Sequence, residues 1–113
     1  MKEVDPDTLK AWLEGGEAVL IDVRESHEYG AERIPGALLC PLSAFEPRRL
    51  PEEGNKRVVF HCGTGRRSAA AVQKCVEAGV PLRTHLAGGL AAWKRAGFAV
   101  LAANPSTGTL QKK

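Results

Sequence analysis

Aromatic residues are scarce in this chain: two Trp, one Tyr and three Phe among 113 residues. It also lacks any dense Lys/Arg run. These two absences exclude the interleaved basic and stacking pattern of a nucleic-acid binder. Net charge is only +3, a mild bias towards small anions. No apolar run approaches the roughly 18 residues of a membrane span. Met1-Lys2-Glu3-Val4 has no signal-peptide core. Cysteines number three, odd and irregularly spaced, which argues against a disulfide framework. A reducing compartment, the cytoplasm, is the simpler setting. Cysteines and histidines lack zinc-ligand spacing, so no metal is expected, and nothing calls for a cofactor. There is no internal repeat and no low-complexity stretch.

What is present suits one domain. The length supports a single hydrophobic core, and the 43% hydrophobic content is ordinary. Asp5 and Pro6 mark the start of a helix whose apolar face is Leu9, Trp12 and Leu13, and Gly15-Gly16 stops it. Ala18-Val19-Leu20-Ile21 reads as a strand buried on both faces, with Asp22 and Arg24 just beyond its end. Ser26–Tyr29 suggests a short helix with His27 exposed. Ile34-Pro35-Gly36 turns the chain into a strand over 37–40. A short helix is expected within 43–50, then a polar loop over 51–55. Arg48 and Arg49 there fit a solvated face better than an anion site. A weaker strand over 83–86 leads through Gly88-Gly89 into a helix over 90–96. Phe98 and Val100 close the core. The domain is expected over 1–102, with 103–113 as a mobile tail. Alternating strands and helices make the fold class α/β, a mainly parallel sheet covered on both faces.

The stretch Phe60–Val72 stands apart. Arg57-Val58-Val59-Phe60-His61 is apolar and β-branched, a strand. A helix is expected from about Arg66 to Ala78, with Ala69, Val72, Cys75 and Val76 as its buried stripe. Cys62 falls between the two. Unpaired N–H groups at the helix start favour negative charge. Gly63 and Gly65 let the loop curl, and Arg66 and Arg67 add positive charge. A thiol so placed ionises readily, and the thiolate is the nucleophile. Cys40 and Cys75 instead continue apolar patterns and read as core residues. For Asp22 and Arg24 the spacing fits a buried pair fixing the loop. His61, on the strand, suits a structural role better than that of a base.

Spacing separates two chemistries. Cysteine phosphatases cradle phosphate in a His-Cys-x5-Arg loop. Here Arg67 lies five residues after Cys62 and Ser68 follows, so the loop is one residue shorter. A tighter cup suits one added sulfur atom better than a tetrahedral phosphate.

His61-Cys62-Gly63-Thr64-Gly65-Arg66-Arg67-Ser68 closely resembles the active-site loop of rhodanese-family sulfurtransferases. Leu20–Glu25 with Glu28-Tyr29 and Ile34-Pro35-Gly36-Ala37 resembles the family's first signature, and Leu86–Trp93 its last. The resemblance spans about residues 3–101. Arg33, where histidine is common, and Gly63, where a larger polar residue is common, depart from it. The resemblance implies a rhodanese-like, five-stranded sheet with the ends of the strands before Asp22 and Cys62 on one rim. It also implies sulfur transfer through a Cys62 persulfide, with thiosulfate as a donor and cyanide, a small thiol or a protein thiol as acceptor. The loop N–H groups from Gly63 to Arg67 would hold the persulfide anion, and Arg66 and Arg67 the donor. Thr64 and Ser68 would serve as loop and helix-cap residues, Asp22 and Arg24 as supports. A persulfide carrier or sensor serving a partner protein would use the same residues. A phosphatase or arsenate reductase on this fold would need the longer loop.

Overall fold

Asp5 starts the first helix as its residue type predicts: its carboxylate accepts the Thr8 N–H at 2.7 Å, and Pro6 takes the first helical position. The computed structural model describes residues 1–113. Strand β1 (Lys2–Val4) precedes that helix, α1 (Pro6–Glu14). Then come β2 (Ala18–Asp22), α2 (Ser26–Ala31), β3 (Glu32–Arg33) and β4 (Leu38–Leu39). The second half holds β5 (Arg57–His61), α3 (Arg66–Ala78), β6 (Thr84–Leu86), α4 (Gly89–Arg95), β7 (Leu101–Ala103) and β8 (Leu110–Lys112). The main sheet is five-stranded, in the order β1-β6-β5-β2-β4, and every pairing in it is parallel. No helix is long and apolar enough to cross a membrane.

Successive strand residues point to opposite faces, and each face has its own core. Leu20, Val59 and Leu86 pack with Leu9 of α1 and with Leu90 and Trp93 of α4. Ile21, Val58 and Phe60 pack with Ala71, Val72 and Cys75 of α3. Helices thus cover both faces, as the continuous apolar strands require.

Several expectations are corrected. The buried stripe of α3 is Ser68, Ala71, Val72 and Cys75, whereas Val76 is 43% exposed. The helix is rotated so that Ser68 enters the core. Residues 43–50 form no single helix but two 3-10 turns, Leu42–Ala44 and Pro47–Arg49, separated at Phe45. Phe45 meets Phe60 edge-on, so its extended backbone serves core packing. The strand expected over 37–40 shortens to β4, and Asp22 lies within β2 rather than after it. β1 and β3 had no sequence signal. The stretch read as a tail folds back: β7 pairs with β3 and β8, both antiparallel, and the Asn104–Gly108 turn residues sit at the hairpin tip.

Candidate functional site

β2 and β5 are register partners, with Asp22 opposite His61. The chains stay together past the strand ends, since Val23 N–H donates to the His61 carbonyl at 2.9 Å. This fixes where Cys62 leaves the sheet. Gly65 then turns the chain with φ +107°, a left-handed conformation that side chains resist, and α3 begins at Arg66.

The resulting loop is a cup around one sulfur. Cys62 Sγ accepts the Gly65 N–H at 3.1 Å and the Ser68 N–H at 3.3 Å. The Ser68 hydroxyl lies 3.6 Å from it. Burial pushes the Cys62 thiol up, but the Ser68 hydroxyl and the N–H groups of Ser68, Gly65 and Thr64 outweigh burial and hold the thiol below its ordinary value. Burial pushes the Cys40 and Cys75 thiols up instead, with no such donors opposing it. Cys62 is only 1% exposed and packs among Phe60, Val72 and Cys75. The apolar role that its pattern did not suggest is therefore also filled.

The outward side of the cup is held by α4. Leu90 N–H donates to the Cys62 carbonyl at 2.8 Å and Ala91 N–H to the Gly63 carbonyl at 3.0 Å. With those carbonyls turned to α4, the Gly65 and Ser68 N–H groups face the sulfur. Gly89 makes the approach possible, because a Cβ there would stand 2.5 Å from the Cys62 carbonyl oxygen. The double glycine noted in the sequence is thus a backbone contact with the loop.

The arginines divide. Arg67 lies over Gly63 and is clamped by Glu28 of α2, with Nη1–Oε1 at 2.6 Å and Nη2–Oε2 at 3.0 Å. Those hydrogen bonds draw the Glu28 carboxyl down to about 2. Arg66 and Thr64 are exposed. Asp22 and Arg24 form the buried pair read from their spacing. Arg24 Nη2 stands 2.8 Å from Asp22 Oδ2, and it also donates to the Glu32 carbonyl. Burial raises the Asp22 carboxyl, but His61 and Arg24 outweigh that and hold it far below the carboxylate range. His61 is fully buried, 3.4 Å from that carboxylate and 3.2 Å from the Cys62 carbonyl, so it buttresses the strand end.

Ser68 is not a helix cap; Gly65 occupies that position. Its hydroxyl reaches the Gly65 carbonyl at 3.2 Å and His85 Nδ1 at 2.8 Å. On the far side of that ring, His85 Nε2 stands 3.3 Å from Glu3 Oε2. Neither His85 nor Glu3 was legible as part of the site, because their contacts join β6 and β1 to a loop distant in sequence. Glu28 had a signal only in the Glu28-Tyr29 motif.

A protein-family model described as the Rhodanese-like domain matches residues 5–96. An uncharacterised protein of Synechocystis is 40% identical over 95 residues, covering 84% of this chain and 53% of that protein. A sulfurtransferase of Allochromatium vinosum is 31% identical over 103 residues, covering 90% of this chain and 96% of that protein. The crystal structure of a thiosulfate sulfurtransferase from Pseudomonas aeruginosa superposes with a TM-score of 0.73 at 26% identity. It covers 98% of this chain and 22% of that one. The chain therefore spans about half the length of the Synechocystis relative and nearly all of the Allochromatium one.

Proposed function

Because the chain belongs to the rhodanese-like domain family, we propose that it transfers sulfane sulfur from a donor such as thiosulfate, with Cys62 as the carrier. The observation that carries this reading is the pair of N–H groups, Gly65 and Ser68, directed at Cys62 Sγ from the start of α3. They favour the thiolate that attacks the donor.

The Cys62 thiolate attacks the outer sulfur of thiosulfate. A sulfur–sulfur bond forms, the bond inside thiosulfate breaks, and its electron pair leaves with sulfite. The remaining N–H groups between Gly63 and Arg67 stabilise the persulfide anion, and Arg66 and Arg67 attract the anionic donor. A nucleophile such as cyanide or a thiol then takes the terminal sulfur. The electron pair of the Cys62 sulfur–sulfur bond returns to Cys62, completing a covalent cycle. Thr64 and the buried pair Asp22–Arg24 shape the loop and its support. The chemistry needs a free thiol and hence a reducing compartment such as the cytoplasm.

Intact mass after thiosulfate treatment tests the reading. The expected result is a gain of one sulfur atom, reversed by cyanide and absent from Cys62→Ser. No gain, or the same gain in the variant, overturns it. A second reading makes the domain a persulfide carrier for a protein thiol, consistent with its spanning only about half of the Synechocystis relative. Slow transfer to small acceptors with fast transfer to a protein thiol is its signature. The short loop weighs against a phosphatase or arsenate reductase.

A further inference from the structure

Behind the sulfur runs a file of polar atoms that sulfur transfer as written above does not use. Ser68 Oγ touches Cys62 Sγ at 3.6 Å and His85 Nδ1 at 2.8 Å. His85 Nε2 faces Glu3 Oε2 at 3.3 Å. His85 is 2% exposed, and its Nε2 makes no hydrogen bond; the Glu3 carboxylate stands at ion-pair distance from it. Glu3 is 60% exposed on its side chain, on the edge strand β1, directly opposite His85 in the sheet register. The file therefore starts at a buried thiol and ends in water.

We propose that His85 is the base that takes the Cys62 proton, acting through the Ser68 hydroxyl, with Glu3 orienting the ring and opening the way to solvent. The proposal rests on Cys62 being the nucleophile. The directions of the hydrogens follow from the partners. A carboxylate only accepts, so the charge of Glu3 beside Nε2 favours the tautomer with hydrogen there. Nδ1 then carries a lone pair and accepts the Ser68 hydroxyl hydrogen. The Gly65 carbonyl, 3.2 Å from the hydroxyl, is the weaker competitor and already accepts the Ala69 N–H at 3.1 Å. With its hydrogen turned to His85, Ser68 presents a lone pair to the Cys62 S–H. On ionisation the thiol proton passes to Ser68 Oγ and the serine's own proton passes to Nδ1. Ser68 is left neutral, now donating to the thiolate, and His85 becomes an imidazolium between Ser68 and Glu3. The proton on Nε2 leaves by way of Glu3 to water.

Three charged or titratable groups bear on the ring: Glu3, the Met1 amino group and, through Ser68, the Cys62 thiol. Burial holds the imidazole below its ordinary value and outweighs the opposing pull of Glu3. At neutral pH the ring is therefore neutral, ready to accept a proton and disposed to pass it on. β6 places His85 against Ser68 of α3, and its parallel neighbour β1 places Glu3 against His85.

The rate of Cys62 alkylation by iodoacetamide against pH tests this, with peptide mass identifying the modified cysteine. No sulfur donor is involved, so a failure of thiosulfate loading and a failure of this proposal are distinguishable. His85→Asn keeps a polar partner for Ser68 but provides no base. Alkylation of this variant near neutral pH is expected to fall about tenfold, with its midpoint moved to higher pH. In a Ser68→Ala background the same substitution is expected to cost nothing more, since His85 acts only through that hydroxyl. Glu3→Gln, an exposed change that leaves folding intact, is expected to slow alkylation about threefold. Alkylation profiles of both His85→Asn and Glu3→Gln that superimpose on the parent overturn the proposal. So does a His85→Asn loss of equal size with and without Ser68.

Discussion

A guanidinium clamped by a carboxylate offers less charge to a ligand than a free one. Arg67 stands beside the cup, yet Glu28 takes both of its outer nitrogens. Glu28→Gln should therefore lower the thiosulfate KM and Arg67→Ala should raise it, each about threefold, the scale of a partly exposed ion pair. Steady-state kinetics against thiosulfate reads both, and equal KM values in the two variants would remove the clamp from donor binding. The pH dependence has a definite sign. With its carboxyl drawn down to about 2, Glu28 stays ionised where an ordinary Glu would titrate; the stability it contributes is full above the ordinary carboxylate value and is lost progressively as pH falls from there through about 2. The thiosulfate KM should accordingly show no inflection near the ordinary Glu value. At this scale the sequence spoke clearly where a residue's neighbours in the chain make its environment. Cys62, Gly65 and the Asp22–Arg24 pair are such cases. It was silent on Glu3 and His85, whose partners lie 82 and 17 residues away along the chain, and it marked Glu28 only as part of a motif, without its partner 39 residues on.

Two helices meet the loop with different tasks: α3 supplies donors to the sulfur, and α4 holds the loop's carbonyls away from it. Gly89 is the contact point. A Cβ at this position would lie 2.5 Å from the Cys62 oxygen and 2.7 Å from the Gly63 carbonyl carbon, with φ at +60°. Gly89→Ala is expected to cost about 3 kcal/mol or more, combining backbone strain with the loss of two hydrogen bonds. Gly36→Ala, also at positive φ but with open space around it, should cost only about 1–2 kcal/mol. Urea unfolding of both variants measures the difference, and equal costs would mean that the approach of α4 is loose. The helices α1 and α3 were readable because caps and periodicity are local signals. The two-residue strands and 3-10 turns were not, since β3 exists only through β7, and Phe45 is placed by Phe60.

Beyond the main sheet, the molecule carries a second, small one built by its C-terminal hairpin. β8 is wholly exposed, and Lys113 exchanges two backbone hydrogen bonds with Val100. Little apolar area is buried by that strand, so removing residues 104–113 should lower the melting temperature by only about 5 °C. Sulfur transfer should stay within about twofold of the parent. A truncated chain that fails to fold would show instead that the hairpin supports the core. The whole-molecule architecture was legible from the alternation of apolar strands with helices, and the layering of Leu20 against one core and Ile21 against the other follows from it. The hairpin escaped notice because Leu110-Gln111-Lys112 has the composition of a tail, and only pairing with β7 makes it a strand.

A persulfide has two sulfurs, and an incoming nucleophile can choose either. Attack on the outer one moves sulfur onward, whereas attack on the inner one strands the nucleophile on the protein and discards hydrosulfide. Cys62 is 1% exposed, with its own sulfur enclosed by the loop. A sulfur added to it would lie one bond further from that enclosure. The depth of the cysteine would thus act as a regiochemical filter, shielding the unproductive end of the bond and leaving the productive end within reach.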